Sequence, residues 1–143
     1  MFLFDLAPDT LQTFPLEELW YFLPIGYLVT ILIETPILVA GLSSKVTLKQ
    51  KLMCGIWLTA CTYPVVVLVL PAIFFESSRF LYLTVAEIFA PAAECFIFWL
   101  AFRGRGILQN RAWMLCFAAI VIANLASFGL GEVLNYYRWF GLF

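Results

Sequence analysis

The segment Tyr82-Leu-Thr-Val-Ala-Glu-Ile-Phe-Ala-Pro-Ala-Ala-Glu-Cys95 lies inside an apolar run, 80–102, that contains two carboxylates and no basic residue. About 20 residues of α-helix cross the ~30 Å of hydrocarbon in a bilayer, so the run predicts a membrane-spanning helix. Glu87 and Glu94 are seven residues apart and therefore share one helix face. Because a carboxylate at membrane depth costs on the order of 2.5–3.5 kcal/mol, this face is predicted to meet polar groups on neighbouring helices.

The composition of the whole chain is that of a membrane protein. Of its 143 residues, 64% are hydrophobic and only 12% are charged, whereas soluble domains contain about 25% charged residues. The chain has no basic patch of the kind that nucleic acid requires. It also has no histidine, which is the commonest metal ligand and general base. We find no nucleophile–base pair, phosphate-binding loop or metal-ligand spacing, and we therefore expect neither an enzyme nor a metal protein.

Three more apolar segments extend this pattern and predict an all-α, integral membrane four-helix bundle. The transmembrane domain is expected at 19–135, with spans at about 19–42, 52–75, 80–102 and 112–134. Residues 1–18 mix apolar and acidic side chains, and are expected to form either an interfacial arm or a partly ordered one. Residues 136–143 are rich in aromatic side chains, which predicts an interfacial tail.

The basic residues predict the orientation of the bundle. Six of the eight Lys and Arg residues lie in two loops without acidic residues, 43–51 and 103–111. Loops of this kind stay on the cytoplasmic side, so both termini are predicted on the non-cytoplasmic side.

Five polar side chains within the spans form the candidate site: Glu34, Glu87, Glu94, Asn124 and Ser127. Depths counted from the span midpoints predict an inner layer with Glu34 and Glu94, and an outer layer with Glu87 and Ser127. Two carboxylates in one low-dielectric layer cannot both stay charged, so either one is protonated or a cation neutralises them. The cluster is therefore either a proton or cation site or a set of interhelical hydrogen bonds that holds the bundle together.

Small residues predict a close helix contact along the fourth span. They recur every four residues, at Ala119, Ala123, Ser127 and Gly131. The aromatic residues, 18% of the chain, are typical of lipid-facing and interfacial positions and are also compatible with contacts to lipid or pigment. We expect no defined cofactor.

Four short motifs carry a family resemblance, and they occur in order across the four spans. They are Ile33-Glu-Thr-Pro36, Thr62-Tyr-Pro64, Ala86-Glu87 with Glu94, and Asn124-Leu-Ala-Ser-Phe-Gly-Leu-Gly-Glu132. The pattern resembles a loose group of small bacterial four-span membrane proteins, mostly without an assigned activity. Cyanobacterial filament-integrity membrane proteins look like distant relatives, because they share the Pro/Glu pattern of the first span. Where the group often carries Asn and His near the second-span proline, this chain has Cys61 and Tyr63.

These observations favour a non-catalytic accessory or scaffold subunit of a larger membrane complex, with a photosynthetic or respiratory assembly as a compatible host. Its partners would be membrane lipids and other integral membrane subunits, in a bacterial inner membrane or a thylakoid-type membrane. The alternative is a small proton-coupled transporter or cation channel that uses Glu34, Glu87 and Glu94. Small multidrug transporters have a similar size and also use a glutamate in the first span, which is an analogy of architecture alone.

Overall fold

A computed structural model describes residues 16–74, 77–106 and 111–137. Residues 1–15 of the predicted arm (1–18) and 138–143 of the predicted tail (136–143) lie outside these residues, as do 75–76 and 107–110. The described residues contain helices and their connections and no β-strand.

The helices give four membrane-spanning segments. Their bounds are α1 (Leu16–Gly41), α2 (Leu48–Pro64), a π-helical segment (Val65–Val69), α3 (Leu70–Ile73), α4 (Arg79–Phe102) and α5 (Ala112–Tyr136). Because α2, the π-helical segment and α3 follow one another without a break, they form a single span. The four helices that are long and apolar enough to cross a membrane are Leu23–Gly41, Leu48–Ile73, Phe80–Phe102 and Ala112–Leu134, called here the first to fourth spans. The predicted all-α, four-span membrane fold is thereby confirmed.

The second span begins at Leu48, four residues before the predicted start at 52. The cause is a capping box that the sequence prediction overlooked. The backbone N–H of Gln50 donates to the Thr47 hydroxyl over 3.3 Å, and the backbone N–H of Thr47 donates to the Gln50 side chain over 2.9 Å. The first helix likewise begins early, at Leu16, within the segment predicted as an arm.

A π turn in the second span leaves one backbone carbonyl for the third span. The Leu70 N–H donates to the carbonyl of Val65, five residues back. The next residue, Pro71, has no N–H, so the carbonyl of Val66 lacks its partner within the helix. The Tyr82 hydroxyl donates to this carbonyl over 3.0 Å and thereby ties the two spans together.

The two halves of the bundle differ in packing. The end of the bundle that carries residues 43–47, 103–106 and Arg111 is called the basic end. The half next to it is filled by a continuous apolar core. Its members are Leu38, Leu42, Val46, Cys54, Leu58, Phe98, Phe102, Cys116, Ala119, Ile120 and Ala123. In the first, third and fourth spans these residues lie nearer the basic end than the candidate-site residues Glu34, Glu94 and Asn124 do.

Two glycines let the spans approach closely in this half. A Cβ built on Gly41 would lie 2.7 Å from the Cβ of Ala119, so the first and fourth spans touch there. A Cβ on Gly55 would clash with the Thr35 hydroxyl and lie 3.0 Å from the Thr35 Cα. The second span therefore rests directly on the backbone of the first span.

Lys51 joins the same two spans at the basic end. Its Nζ donates to the carbonyls of Val39 and Leu42 over 2.9 and 2.7 Å. Val39 lies in the last turn of α1 and Leu42 directly follows the helix. Carbonyls at the C-terminus of a helix have no N–H donor within the helix, and the helix dipole favours a cation there.

Candidate functional site: an intramembrane carboxyl network

Glu34 of the first span is fully buried and bonded to two other spans. Only 2% of its surface is exposed. The Thr59 hydroxyl of the second span lies 2.7 Å from Oε2 of Glu34, and the Ser127 hydroxyl of the fourth span lies 2.7 Å from Oε1. Each carboxyl oxygen therefore has one partner, on a different helix.

Glu94 of the third span repeats this arrangement between the same two helices. It is 1% exposed. The Thr62 hydroxyl lies 2.8 Å from Oε1, and Nδ2 of Asn124 donates to Oε2 over 2.7 Å. Together the two glutamates join all four spans, and we call these six residues (Glu34, Thr59, Thr62, Glu94, Asn124 and Ser127) the carboxyl network.

Helical spacing explains how two helices serve both glutamates. Thr59 and Thr62 are three residues apart, as are Asn124 and Ser127, so each pair lies on one face about 4.5 Å apart along its axis. The second and fourth spans run in the same direction, both away from the basic end. Each glutamate takes the residue nearer the basic end from one pair and the residue farther from it from the other pair, so that Glu34 bonds Thr59 and Ser127 and Glu94 bonds Thr62 and Asn124.

The number of protons in the network favours neutral carboxyl groups. The Thr62 hydroxyl lies 3.1 Å from the Leu58 carbonyl as well as 2.8 Å from Glu94, and it has one proton for two acceptors. Asn124 fills both of its donors, to Glu94 and to the carbonyl of Ile120. If Glu94 carries a proton, it donates to Thr62, Thr62 donates to Leu58, and all four contacts are satisfied.

The same reasoning applies to Glu34. Thr59 lies 2.8 Å from the Gly55 carbonyl, and Ser127 lies 2.9 Å from the Asn124 carbonyl, so each hydroxyl has a backbone acceptor besides the carboxyl. A proton on Glu34 satisfies one contact more than the ionised form can. The only Lys and Arg residues in the four spans, Lys49 and Lys51, lie in the first turn of the second span, eight residues or more before Thr59, so neither neutralises a buried charge in the network.

A cavity of about 80 Å³ extends from the network into the half of the bundle opposite the basic end. All four spans line it, and apart from the network its walls include Thr30, Tyr63, Glu87, Pro91 and Phe128. A single water needs about 10–15 Å³ by this measure, so the cavity has room for several. The carboxyl network thus packs against the apolar core on one side and borders a cavity with mostly apolar walls on the other.

Glu87 lines this cavity two helical turns from Glu94, and it is half-buried. Glu132 of the fourth span is near enough to interact with it electrostatically. Ser127 was predicted in the same outer layer as Glu87, but the structure bonds it to Glu34. The reason is that the flexible glutamate side chain covers the 4.5 Å between Asn124 and Ser127, which a count of Cα depths ignores.

The small residues of the fourth span have two different environments. Ala119 and Ala123 are buried in the apolar core, and Ala119 contacts Gly41. Ser127 belongs to the carboxyl network. A Cβ on Gly131 would meet no described atom within 4 Å, because this residue borders the cavity. Of the four small residues predicted to make a close helix contact, only the two nearest the basic end, Ala119 and Ala123, therefore pack in the apolar core.

Thr59 and Thr62 complete the site, although the sequence prediction did not include them among its candidate residues. Their spacing and their position on one face with Gly55 were a usable signal. A threonine in a membrane helix normally hydrogen-bonds a backbone carbonyl of its own helix. That Thr59 and Thr62 also bond a carboxyl group of another helix can be recognised only once the helices are placed side by side.

Metal-binding clusters of three or more His, Cys, Asp or Glu side chains are absent from the described residues. The four cysteines are free thiols, and Cys54 and Cys116 are buried in the apolar core.

Comparisons with known proteins identify no relative: no family model matches the chain, and no curated protein or solved structure is significantly similar to it. The resemblance to small bacterial four-span proteins and to filament-integrity proteins therefore stays a prediction. The part of the chain that the structure describes is all-α, with four helices that are long and apolar enough to span a membrane.

Proposed function

We propose that the protein is a non-catalytic accessory or scaffold subunit of a larger membrane complex, in which the carboxyl network holds the four spans in one fixed arrangement. The observation that supports this most is that the carboxyl groups of the network leave no oxygen without a hydrogen-bond partner. Every carboxyl oxygen of Glu34 and Glu94 has a partner on another span.

The energetics also favour a fixed bundle. Moving the spans apart would break four interhelical hydrogen bonds at ~0.6 kcal/mol each, about 2–3 kcal/mol before apolar packing is counted. On the basic-end side of the network, Leu38, Phe98 and Ile120 are almost completely buried and block any polar path. A static scaffold needs no such path.

The outer surface of the bundle suits a membrane assembly. Large apolar side chains are exposed along all four spans, so this surface contacts lipid and is compatible with the spans of other subunits. We place the basic end in the cytoplasm and both termini outside, because 43–51 and 103–111 contain no acidic residue. A bacterial inner membrane or thylakoid-type membrane agrees with the resemblance noted above.

Purification from the native membrane in mild detergent tests this proposal. We expect unlike membrane subunits to co-purify in fixed stoichiometry, and to do so with Glu94→Gln but not with Glu94→Leu. Isolation of a homo-oligomer alone, under conditions that preserve other complexes of that membrane, would contradict it.

The cavity favours a second candidate, a small proton-coupled transporter or cation channel. It brings Glu34, Glu87 and Glu94 to one cavity within the half of the bundle opposite the basic end. In vesicles containing a pH-sensitive dye, this function predicts a flux that Glu94→Gln abolishes while the fold persists. If vesicles that contain the parent protein show no proton or cation flux under a gradient, the result supports the subunit role instead.

A further inference from the structure

An apolar groove runs along the seam between the second and third spans, starting at the basic end. Its volume is about 250 Å³. Its floor includes the buried Leu58 and Phe98, and the exposed Trp57 forms one wall. Ala101 lies on the third span, where its small side chain leaves the space open. The groove is therefore a gap in the protein surface at membrane depth, which a flexible apolar chain can fill.

The groove has the depth of a single leaflet. From Lys49 at its mouth to Trp57 is eight residues, which corresponds to about 12 Å along the helix. One leaflet contributes about half of the ~30 Å hydrocarbon thickness. An acyl chain that enters from the surface at the basic end therefore matches the groove in direction and depth.

Cations surround the mouth of the groove. Lys49 lines it directly. The Arg105 guanidinium lies 5.7 Å from the ring centre of Phe102, a groove residue, and the Arg103 guanidinium lies 5.3 Å from the ring centre of Trp99. Gly104, with φ +83°, allows the chain to turn so that both arginines fold back over these rings.

These three cations have no acidic partner among the residues that the structure describes. The loops 43–51 and 103–111 contain no Asp or Glu. An apolar slot beneath a cluster of unpaired cations is complementary to a molecule with an acyl chain and an anionic headgroup.

We propose that this groove is a specific binding site for an anionic phospholipid, with an acyl chain against Trp57 and the phosphate between Lys49 and Arg105. The proposal is independent of the function proposed above, because it concerns a different face of the bundle.

Trp57 provides a direct probe of occupancy. The other four tryptophans are replaced by phenylalanine, so that Trp57 alone fluoresces. Its fluorescence is then measured in phosphatidylcholine vesicles that contain, as the quencher, either brominated phosphatidylglycerol or brominated phosphatidylcholine. We expect the anionic lipid to quench Trp57 at a lower mole fraction than the zwitterionic lipid does. In the proposed site both cations contact the phosphate directly, and such charge-assisted hydrogen bonds are stronger than general attraction to the surface, so Lys49→Gln/Arg105→Gln should lower the preference at least about tenfold.

Lys45→Gln/Arg111→Gln is the matched control, because it removes the same charge from the same two loops outside the groove. This control should keep the preference for the anionic lipid. Ala101→Phe fills the groove and should make the quenching of the exposed Trp57 by the two lipids equal, while circular dichroism shows an intact helical fold. Equal quenching by the two lipids in the parent protein would overturn the proposal. So would an equal loss of preference in the control, since general surface attraction would then explain it.

Discussion

Replacement of Glu94 by Gln or by Leu tests whether the carboxyl network holds the bundle together. Gln keeps the shape and both kinds of hydrogen bond, since its amide N–H donates to Thr62 and its oxygen accepts from Asn124. We expect Glu94→Gln to cost no more than the ~0.6 kcal/mol of one interhelical hydrogen bond. Leu fills a similar volume but bonds to neither partner.

The cost of Glu94→Leu has two parts. Two interhelical hydrogen bonds are lost at ~0.6 kcal/mol each. One N–H of Asn124 then stays buried without an acceptor, which costs a further ~1–3 kcal/mol. The expected total is about 2–4 kcal/mol. The free energy of unfolding is measured in mixed micelles of mild detergent and SDS.

A double-mutant cycle separates the lost bond from lost packing. Adding Asn124→Ala to Glu94→Leu removes the unsatisfied donor, so the double variant should be at least about 1 kcal/mol more stable than the sum of the single effects predicts. The reasoning fails if Glu94→Leu is as stable as the parent protein, or if Glu94→Gln is as harmful as Glu94→Leu.

Three further predictions follow from other contacts. Gly55→Ala should destabilise the bundle by about 1–3 kcal/mol, because the added methyl group would meet the backbone of the first span. Gly129→Ala is the control: a methyl group there meets no described atom within 4 Å, so this variant should be neutral in the same unfolding assay. Tyr82→Phe should lower the free energy of unfolding by about 1 kcal/mol, because the Val66 carbonyl left free by the π turn loses its donor. Adding Pro71→Ala to Tyr82→Phe should recover stability by restoring an N–H, and a double variant without this recovery would contradict the account. A cysteine at Ser44 should react with membrane-permeant thiol reagents only, and labelling by an impermeant reagent from outside would reverse the proposed orientation.

The spans could be predicted from the sequence because a bilayer imposes a length on any apolar helix. The inward faces of Glu34 and Glu94 were also predictable, since neither carboxyl group can face lipid at acceptable cost. The hydrogen-bond partners were not, because they depend on side-chain reach and on the relative heights of the helices. The start of the second span was encoded in Thr47 and Gln50, but the apolar pattern alone does not show it.

The π turn marks a different limit of sequence reasoning. Pro71 removes one backbone N–H from the second span, but the sequence does not show which group donates to the Val66 carbonyl in its place. The Tyr82 hydroxyl is available at the right height only because the third span packs against this part of the second span. A tertiary contact therefore satisfies the carbonyl that the local backbone geometry leaves free.

The carboxyl network also has a consequence for biogenesis. The bond between Thr59 and Glu34 joins residues 25 apart, so it can form once the first two spans have been synthesised. The bond from Ser127 to Glu34 spans 93 residues and has to wait for the last helix. Until that helix is inserted, each buried glutamate lacks one of its two partners and remains a polar defect in the bilayer. Arrival of the fourth span removes both defects at once, so a chain truncated before it should be the form that membrane quality-control proteases degrade.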